Sequence, residues 1–558
     1  MKNRLNTKKG ISLITLIVTI VVIIILAAAV ILTLGDNNPI DKAKEARRIS
    51  DIANIKEEIQ MDVLGKQLEN AGDISDATLQ EILENYGTLS EEENLMDKTL
   101  TTTKGSYEIK VSDIFNGTTV KDSTKEPTFT TVANAPDISG FNKDNTYYVS
   151  WDLTSSPYQI NEDTNLKGVA PGNWYDYTQG VNHWANVKTA GGKNDCYWVW
   201  IPRYAYCITG GYHSSTAGTI DIKFLQGTTN TPIDGSSITI SNSSGSGNWN
   251  VHPAFWFDKN NNGVEDAGEQ LAGIWVAKFE ASSNSSDVVE NPSPEQLVTN
   301  GGGNTTALKV RVKPNVTSWR GINVNNMFTV CRNLTQTGNS LENTTNLNSH
   351  MMKNIEWGAV AYLSRSVYGK NGEVWNNPYY NNTTNHSPIT GLCGNATNGK
   401  NNATTNMSNT VKYNEIGGGN ASATGNVYGI YDMAGGAWEY VAGIYTGGTS
   451  NDNRSNLWDS NNTKYVNKYT ETTGSQSTYY GNTDKYGDAV YETSNFGYSE
   501  TGSWGSSYSS FPSSSHSVFS RGGLASDIRC AGVFAFNHNT GGAYTFYSFR
   551  PVVISSKP

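Results

Sequence analysis

Residues 11–34, ISLITLIVTIVVIIILAAAVILTL, run for 24 positions without a charged side chain. As an α-helix rising about 1.5 Å per residue the run spans roughly 36 Å, enough to cross a hydrocarbon core of ~30 Å. It is longer than the apolar core of a secretory signal, about 7 to 15 residues, although Ala27, Ala28 and Ala29 give it some small-residue character. Lys2, Arg4, Lys8 and Lys9 all precede it, and positive charge stays on the cytoplasmic side of a span. The expectation is a single-pass, membrane-anchored chain with its bulk, everything after Leu34, extracellular and displayed at the cell surface.

Composition suits that address. Against 51 acidic residues stand 41 basic ones, a net charge of −10, which argues against a nucleic-acid-binding surface. Only 16% of residues are charged, while Gly supplies 55 and Tyr 30 among long runs of Asn, Ser and Thr, a mixture suited to turns and aromatic strands. The expected class is α+β: a long N-terminal helix, a small α+β cap, then a loop-rich β domain. Cys196, Cys207, Cys331, Cys393 and Cys530 are an odd number at wide spacing without a CxxC pair. Buried thiols are at least as good a reading as disulfides.

After the apolar run, Gly35, Asn37, Asn38 and Pro39 break and restart the helix. Ile49, Ile52, Ile55, Ile59 and Val63 then recur at spacings of three and four, with Lys44, Arg47, Arg48, Lys56 and Glu57 elsewhere on the circumference; this predicts an amphipathic helix, within a helical segment over 11–71. In 72–118, DATLQEILENYG reads as a helix and GSYEIKVSDI as a strand, and 119–146 reads as a Thr-, Asp- and Pro-rich linker. The β-rich region covers 147–558, with strands expected in CYWVWIPRYAYCI, TIDIKFL, SITIS, AGIWVAKFEAS and ALKVRVKP. Met352, Ile355, Ala359, Tyr362 and Leu363 fall at helical spacing before Gly369. NNPYYNNTTNHSP, NATNGKNNATTNMSN and GSWGSSYSSFPSSSHS read as polar surface excursions.

The sharpest chemical signal is DKNNNGVEDAGE. Counted from Asp258, side-chain oxygens fall at positions 1, 3, 5, 9 and 12 (Asp258, Asn260, Asn262, Asp266, Glu269), Gly263 stands at 6, and Val264 offers a carbonyl at 7. That is the ligand spacing of a twelve-residue calcium loop, where a tight turn wraps hard oxygen donors around Ca²⁺. Glu265 replaces the usual small apolar residue at position 8, and no clear helix flanks the loop, so it is closer to the calcium loops of bacterial surface proteins than to an intracellular sensor. The alternative is an acidic turn without an ion. HExxH, P-loop and GxSxG patterns are absent and the seven histidines are scattered, so no enzyme class declares itself.

Lys8-Lys9-Gly10 followed by the apolar run resembles the class III signal of type IV pilins and pseudopilins. The resemblance implies a leader over 1–10, cleavage by a prepilin peptidase between Gly10 and Ile11, methylation of Ile11, and pilin subunits as possible partners beside the membrane. Thr15 stands at the fifth mature position, where most pilins carry a glutamate that pairs with a neighbouring subunit.

A second resemblance lies in the C-terminal part. GNVYGIYDMAGGAWEYVAG resembles the GLYDMxGNVWEW motif of the formylglycine-generating-enzyme (sulfatase-modifying-factor) superfamily, and SRGGLASD, AGVFAF and SFRPVV follow in the order of its RGGSW, RxAxR and GFRxV motifs, with EWGAVAYL upstream. The resemblance implies a variant of the C-type lectin fold and a calcium site from the Asp432 and Glu439 side chains with the Gly435 and Ala437 carbonyls; Gly436 replaces the family's usual Asn. The oxidases use two cysteines after the GG, at places that fall near Asp527 and Gly532, whereas Cys530 is the only cysteine nearby. Oxidase activity is therefore not expected, and a binding module, an adhesin or receptor for an unknown protein or glycan, is. An oxidase or a structural pilin subunit are the alternatives. The same fold variant is used by proteins diversified through retroelements, which vary residues between fixed RGG and FRPV segments. On that layout Ser526, Asp527, Arg529, Asn537, His538, Asn539, Tyr544, Thr545 and Tyr547 are the candidate ligand-binding positions, and Tyr and Asn suit such a surface.

Overall fold

The computed structural model describes residues 75–115, 132–190, 195–284, 309–380, 387–395, 403–470 and 485–555, save positions 343, 345 and 496, together with scattered helical positions between 52 and 66. The apolar run 11–34 and the processing pair Gly10 and Ile11 lie outside them. Among the described residues no helix is long and apolar enough to cross a membrane. The chain divides into two compact units, Met1–Lys125 and Glu126–Pro558.

In the first unit, Ile55, Ile59 and Val63 are buried at helical spacing against Leu79, Ile82 and Leu83 of the helix Asp76–Glu84. Ser75 caps that helix, its hydroxyl accepting the Thr78 N–H at 3.3 Å. Gly87–Leu89, Thr99–Thr102 and Glu108–Lys110 form an antiparallel sheet that closes the core with Leu100 and Ile109. The stretch GSYEIKVSDI is strand only as far as Lys110. Val111 and Ile114, three apart, both reach the core from the short helix Val111–Phe115.

The second unit is mixed α+β, mostly sheet, around one hydrophobic core. A seven-stranded sheet runs in the order Leu347–Met351, Pro551–Ser555, Gly273–Ala277, Cys196–Pro202, Asn186–Thr189, Thr146–Asp152, Gln159–Asn161, antiparallel throughout. CYWVWIPRYAYCI folds as two strands, because Arg203 interrupts it before Tyr204–Thr209 joins a smaller sheet with Thr219–Phe224 and Trp249–Val251. A second seven-stranded sheet is mixed: Asn467–Tyr469, Trp438–Tyr445, Val518–Gly522, Gly532–Asn539, Ser507–Ser510 and Tyr498–Ser503, with Tyr547–Phe549 also parallel to Trp438–Tyr445. The helix Asn354–Arg365 carries buried Trp357, Val360, Tyr362 and Leu363 into the core. Ala133 and Phe141 belong to the same core, and the Trp275 indole donates to the Asp137 carbonyl at 2.8 Å, so the second half of 119–146 is built into the unit.

Two expectations are corrected and one helix has no sequence reading. SITIS contributes only an isolated bridge, Ile240 to Trp249, not a strand. The helix Val324–Arg332 escapes an apolar-period reading because two asparagines follow Val324; Asn323 caps it, accepting the Asn326 N–H at 2.9 Å, and Met327, Phe328, Val330 and Cys331 are buried. GSWGSSYSSFPSSSHS is no surface excursion: it supplies interior strand, with Ser503, Ser507, Ser509, Ser510, Trp504 and Phe511 buried. Serine is small enough to let these strands pack closely, and its hydroxyl finds carbonyls, Ser503 donating to Thr493 at 3.0 Å and Phe534 at 2.8 Å.

Candidate functional site

The C-terminal segment joins the two large sheets: Tyr547–Phe549 lies in the second and Pro551–Ser555 in the first, leaving Arg550 at the crossing. Its guanidinium is fully buried. Nη2 reaches Glu439 Oε1 at 2.6 Å and the Tyr431 carbonyl at 2.8 Å, Nε reaches Glu439 Oε2 at 3.1 Å, and Nη1 donates to the Ala277 carbonyl at 2.7 Å. Asp432, also buried, accepts N–H groups from Asn377 at 2.9 Å and from Gly391 at 2.9 and 3.1 Å. A third buried carboxyl, Glu280, accepts the Ala437 N–H at 2.9 Å. Burial, with Asp432 and Glu439 adding repulsion, pushes Glu280 well above the usual carboxylate range. Gly435 and Gly436 both have positive φ, and a Cβ on Gly436 would lie 2.6 Å from Glu280 Oε1. The glycine at 436 makes room for that carboxyl.

The calcium set expected at Asp432, Gly435, Ala437 and Glu439 meets protein donors here. A cation needs convergent oxygen lone pairs, whereas here a guanidinium holds both Glu439 oxygens and N–H groups face Asp432. The residues form a charge-compensated crossing in which Arg550 holds both Glu439 oxygens. A second buried arginine is structural as well. Arg521 of the RGG stretch donates to Asn354 Oδ1 at 3.0 Å and the Ala489 carbonyl at 3.0 Å, fully buried.

The loop 258–269 fits a cation better. Asp258, 5% exposed, accepts the N–H groups of Asn262 and Gly263 at 2.9 and 2.8 Å, and Gly263 turns the chain at φ 77°. The side chains at positions 3 and 5 turn inward, Asn260 and Asn262 each aiming Nδ2 at Asp266 Oδ2 at 2.8 Å. Their Oδ1 atoms accept backbone N–H groups, Asn260 from Asn262 at 3.0 Å and Asn262 from Val264 at 2.8 Å. The two Nδ2 donors lower the Asp266 carboxyl below its ordinary value. Glu269 closes the loop: it accepts the Lys259 N–H at 2.7 Å, the Asp266 N–H at 3.0 Å and the Trp256 indole at 3.1 Å. Partial desolvation pushes Glu269 up, but these donors outweigh it and leave it below its ordinary value. Val264 stands at the tip, 58% exposed. Among the described residues no group of three or more His, Cys, Asp or Glu is placed to hold a metal; the loop's donors are carboxylates mixed with amides.

The nine C-terminal positions separate into two kinds. Asn539 and Tyr547 are built in: the Tyr440 hydroxyl donates to Asn539 Oδ1 at 3.0 Å, Asn539 Nδ2 donates to the Tyr547 hydroxyl at 2.9 Å, and Tyr547 stacks on Tyr440 at 4.4 Å. His538 is held by Ser510 at 2.8 Å, and burial lowers it to about 4. Asn537 is half-buried and accepts the His538 N–H at 2.8 Å. The Thr545 carbonyl accepts Arg320, and the Tyr544 carbonyl accepts the Gly321 N–H at 3.0 Å, which fixes that loop's backbone. Arg529 and the Tyr544 ring remain exposed, with Ser526, Asp527 and Thr545 half-buried.

Sequence reasoning missed the aromatic neighbours. Tyr498, 62% exposed, meets Tyr508 edge-on at 6.4 Å; Tyr508 meets Trp438 at 6.1 Å; and Tyr544 stacks on Phe546 at 5.7 Å. Burial lifts the Tyr508 and Tyr547 hydroxyls to about 12, and Asp527 adds to both shifts, which sets the 525–530 turn near the two. Within that turn exposed Ile528 has φ 55°, ψ −114°, a strained conformation for a β-branched residue, its carbonyl held by Asn376 Nδ2 at 2.6 Å. No protein-family model matches the chain, and no curated protein matches it. The local sign of the aromatic neighbours is two tyrosines, Tyr498 and Tyr508, in the serine-rich stretch 498–510; for the buried crossing it is Lys278 and Glu280 beside an apolar strand.

Proposed function

We propose that the chain is a prepilin-like bacterial surface protein that displays a ligand-binding domain, an adhesin or receptor, on a C-type-lectin-like fold of the formylglycine-generating-enzyme type. The observation that carries this reading is the set of exposed groups on the C-terminal part, Tyr498 beside Tyr508, Tyr544 beside Phe546, and Ile528 and Arg529: aromatic contact area and adaptable polar groups above a core of buried arginines and tyrosines. Such a set tolerates exchange of its tips, which supports a diversified surface there. Ca²⁺ in the loop 258–269 stiffens the domain. Prepilin peptidase, the membrane and pilin subunits are partners on the N-terminal side, and the ligand is a protein or a glycan.

An oxidase is the weaker reading, since burial pushes the Cys530 thiol up although Arg529 opposes it, and thiolate chemistry needs the opposite shift. The test screens full-length protein against glycan and surface-protein arrays and repeats each hit with a Tyr498→Ala/Arg529→Ala/Tyr544→Ala variant. Loss of binding with an unchanged melting curve is expected; retained binding refutes the role of these groups. Mass spectrometry of the mature N-terminus should find methylated Ile11, and an intact Met1 refutes the processing.

A further inference from the structure

We propose that the second unit holds a separate binding cavity for a small acidic sugar, one bearing a carboxylate or a phosphate. The cavity has a volume of about 480 Å³ and lies between the loop 258–269, the start of the helix Asn354–Arg365 and the segment 463–469. That volume falls within the ~300 to 1,000 Å³ of small-ligand sites and is larger than a bare ion requires. It shares no residue with the exposed aromatic groups.

Its walls are cationic in a protein of net charge −10: Arg203, Lys353, Lys464, Lys468 and Lys485 line it. Arg203 is fixed, donating to the carbonyls of Thr229 and Phe255 at 3.0 Å each and to Asn230 Oδ1 at 2.9 Å. The ammonium groups of Lys353 and Lys464 flank one ring, 5.9 and 5.7 Å from the Phe257 centroid. Lys353 leans on Glu356 at 3.4 Å. Among the described residues Lys464, Lys468 and Lys485 form no ion pair: Lys464 donates to the Lys259 carbonyl and Lys468 to the Thr463 hydroxyl, each at 3.0 Å, leaving N–H bonds over on each ammonium.

The carboxyl groups on the wall offset these charges only in part, Glu265 acting on Arg203 and Asp488 facing Lys485. Asp258 is turned to its own loop. Asp488 accepts the Tyr469 hydroxyl at 2.9 Å and the Val490 N–H at 3.0 Å, and burial raises it despite Lys485 nearby. Glu265 accepts Gln270 Nε2 at 3.1 Å. Lys464, Lys468 and Lys485, half-buried and without an ion pair among the described residues, repel one another in a low-dielectric recess, and an anion entering it gains charge-assisted hydrogen bonds. The rest of the lining suits a sugar ring. Trp256 and Tyr486 are half-buried aromatics, and Asn467, whose Oδ1 accepts the Ile355 N–H at 3.0 Å, keeps Nδ2 as a donor for hydroxyls.

The test titrates full-length protein with glucuronate, glucose 6-phosphate and a glucuronate-terminated oligosaccharide, with glucose and inorganic phosphate as controls, reading tryptophan fluorescence and calorimetry. Saturable binding of at least one acidic sugar is expected, and comparison of the free sugars with the oligosaccharide tells a free metabolite from a glycan end. Lys468→Gln/Lys485→Gln should weaken binding roughly tenfold or more, the size of a lost charge-assisted bond. Lys485→Gln alone, which removes no hydrogen bond to a described residue, should weaken it with the melting temperature unchanged. The proposal is overturned if neither sugar acid nor sugar phosphate saturates at millimolar concentration, if glucose or inorganic phosphate binds equally well, or if Lys485→Gln binds as the parent does.

Discussion

Arg550 and Glu439 form a two-pronged ion pair, with Nη2 to Oε1 at 2.6 Å and Nε to Oε2 at 3.1 Å, in a setting where neither side chain meets solvent. Each belongs to the second sheet or its exit, and Arg550 also holds a carbonyl of the first. Removing one partner strands a buried charge, at a cost of about 3–5 kcal/mol. Denaturant titration of Glu439→Gln and Arg550→Met should show losses of that order, with the double variant less destabilised than the sum. Glu280, whose carboxyl is pushed up by burial beside them, should accept Gln almost silently, because the amide oxygen keeps the Ala437 N–H. A large loss in Glu280→Gln would contradict that upward shift.

Chelation of Ca²⁺ should lower the melting temperature of full-length protein. Glu269→Gln and Asp258→Asn should abolish the difference between calcium and chelator, whereas Asp432→Asn should keep it. A melting curve indifferent to chelation removes the loop as an ion site.

Glu492 is buried among donors, the Tyr206 hydroxyl at 2.8 Å, the Tyr362 hydroxyl at 2.9 Å and the Gly487 N–H at 2.7 Å, yet burial outweighs them and raises it to about 7. The folded state therefore binds this proton more tightly than the unfolded one, whose glutamate titrates near 4.5. Its contribution to stability is complete below 4.5, falls as pH rises toward about 7, and is flat above. The difference in unfolding free energy between parent and Glu492→Gln should shift in favour of the variant across that window. A difference independent of pH would refute it.

All five cysteines are free thiols, four buried and Cys530 half-exposed. Burial lifts Cys196 and Cys393 to about 12. Native protein should take up one equivalent of a maleimide, mapped by peptide mass to Cys530, and the other four should react only in denaturant. Labelling of Cys196 in the folded state would contradict the packing.

The two kinds of C-terminal position should part in a substitution series. Ser526→Ala, Arg529→Ala and Tyr544→Ala should change unfolding free energy by no more than about 0.5 kcal/mol. Tyr547→Ala, which removes a buried ring stacked on Tyr440, should cost roughly 3 kcal/mol or more. Equal costs would mean that the exposed tips are part of the scaffold.

The local elements were legible where side chains repeat with a clear period. Ile55, Ile59 and Val63 announce their helix, as do Ala359, Tyr362 and Leu363, because a helix buries one face whatever lies opposite. The loop 258–269 was legible because its donors are all local. By contrast, the serine-rich stretch around Trp504 and Phe511 reads as solvent-exposed, since its burial depends on carbonyls of distant residues such as Phe534.

Chain order alone determined the apolar run, the spacing of the loop ligands and the sequence of strands, for these rest on neighbours a few residues apart. Only the tertiary structure decided that Glu439 meets Arg550, that Tyr498 and Tyr544 face solvent while Tyr547 is stacked, and that Lys353 and Lys464 line one cavity. The reason is that charge compensation and burial are properties of groups far apart in the chain. Residues 439 and 550 are separated by 111 positions, and no local pattern in the sequence carries what the crossing of two sheets brings together.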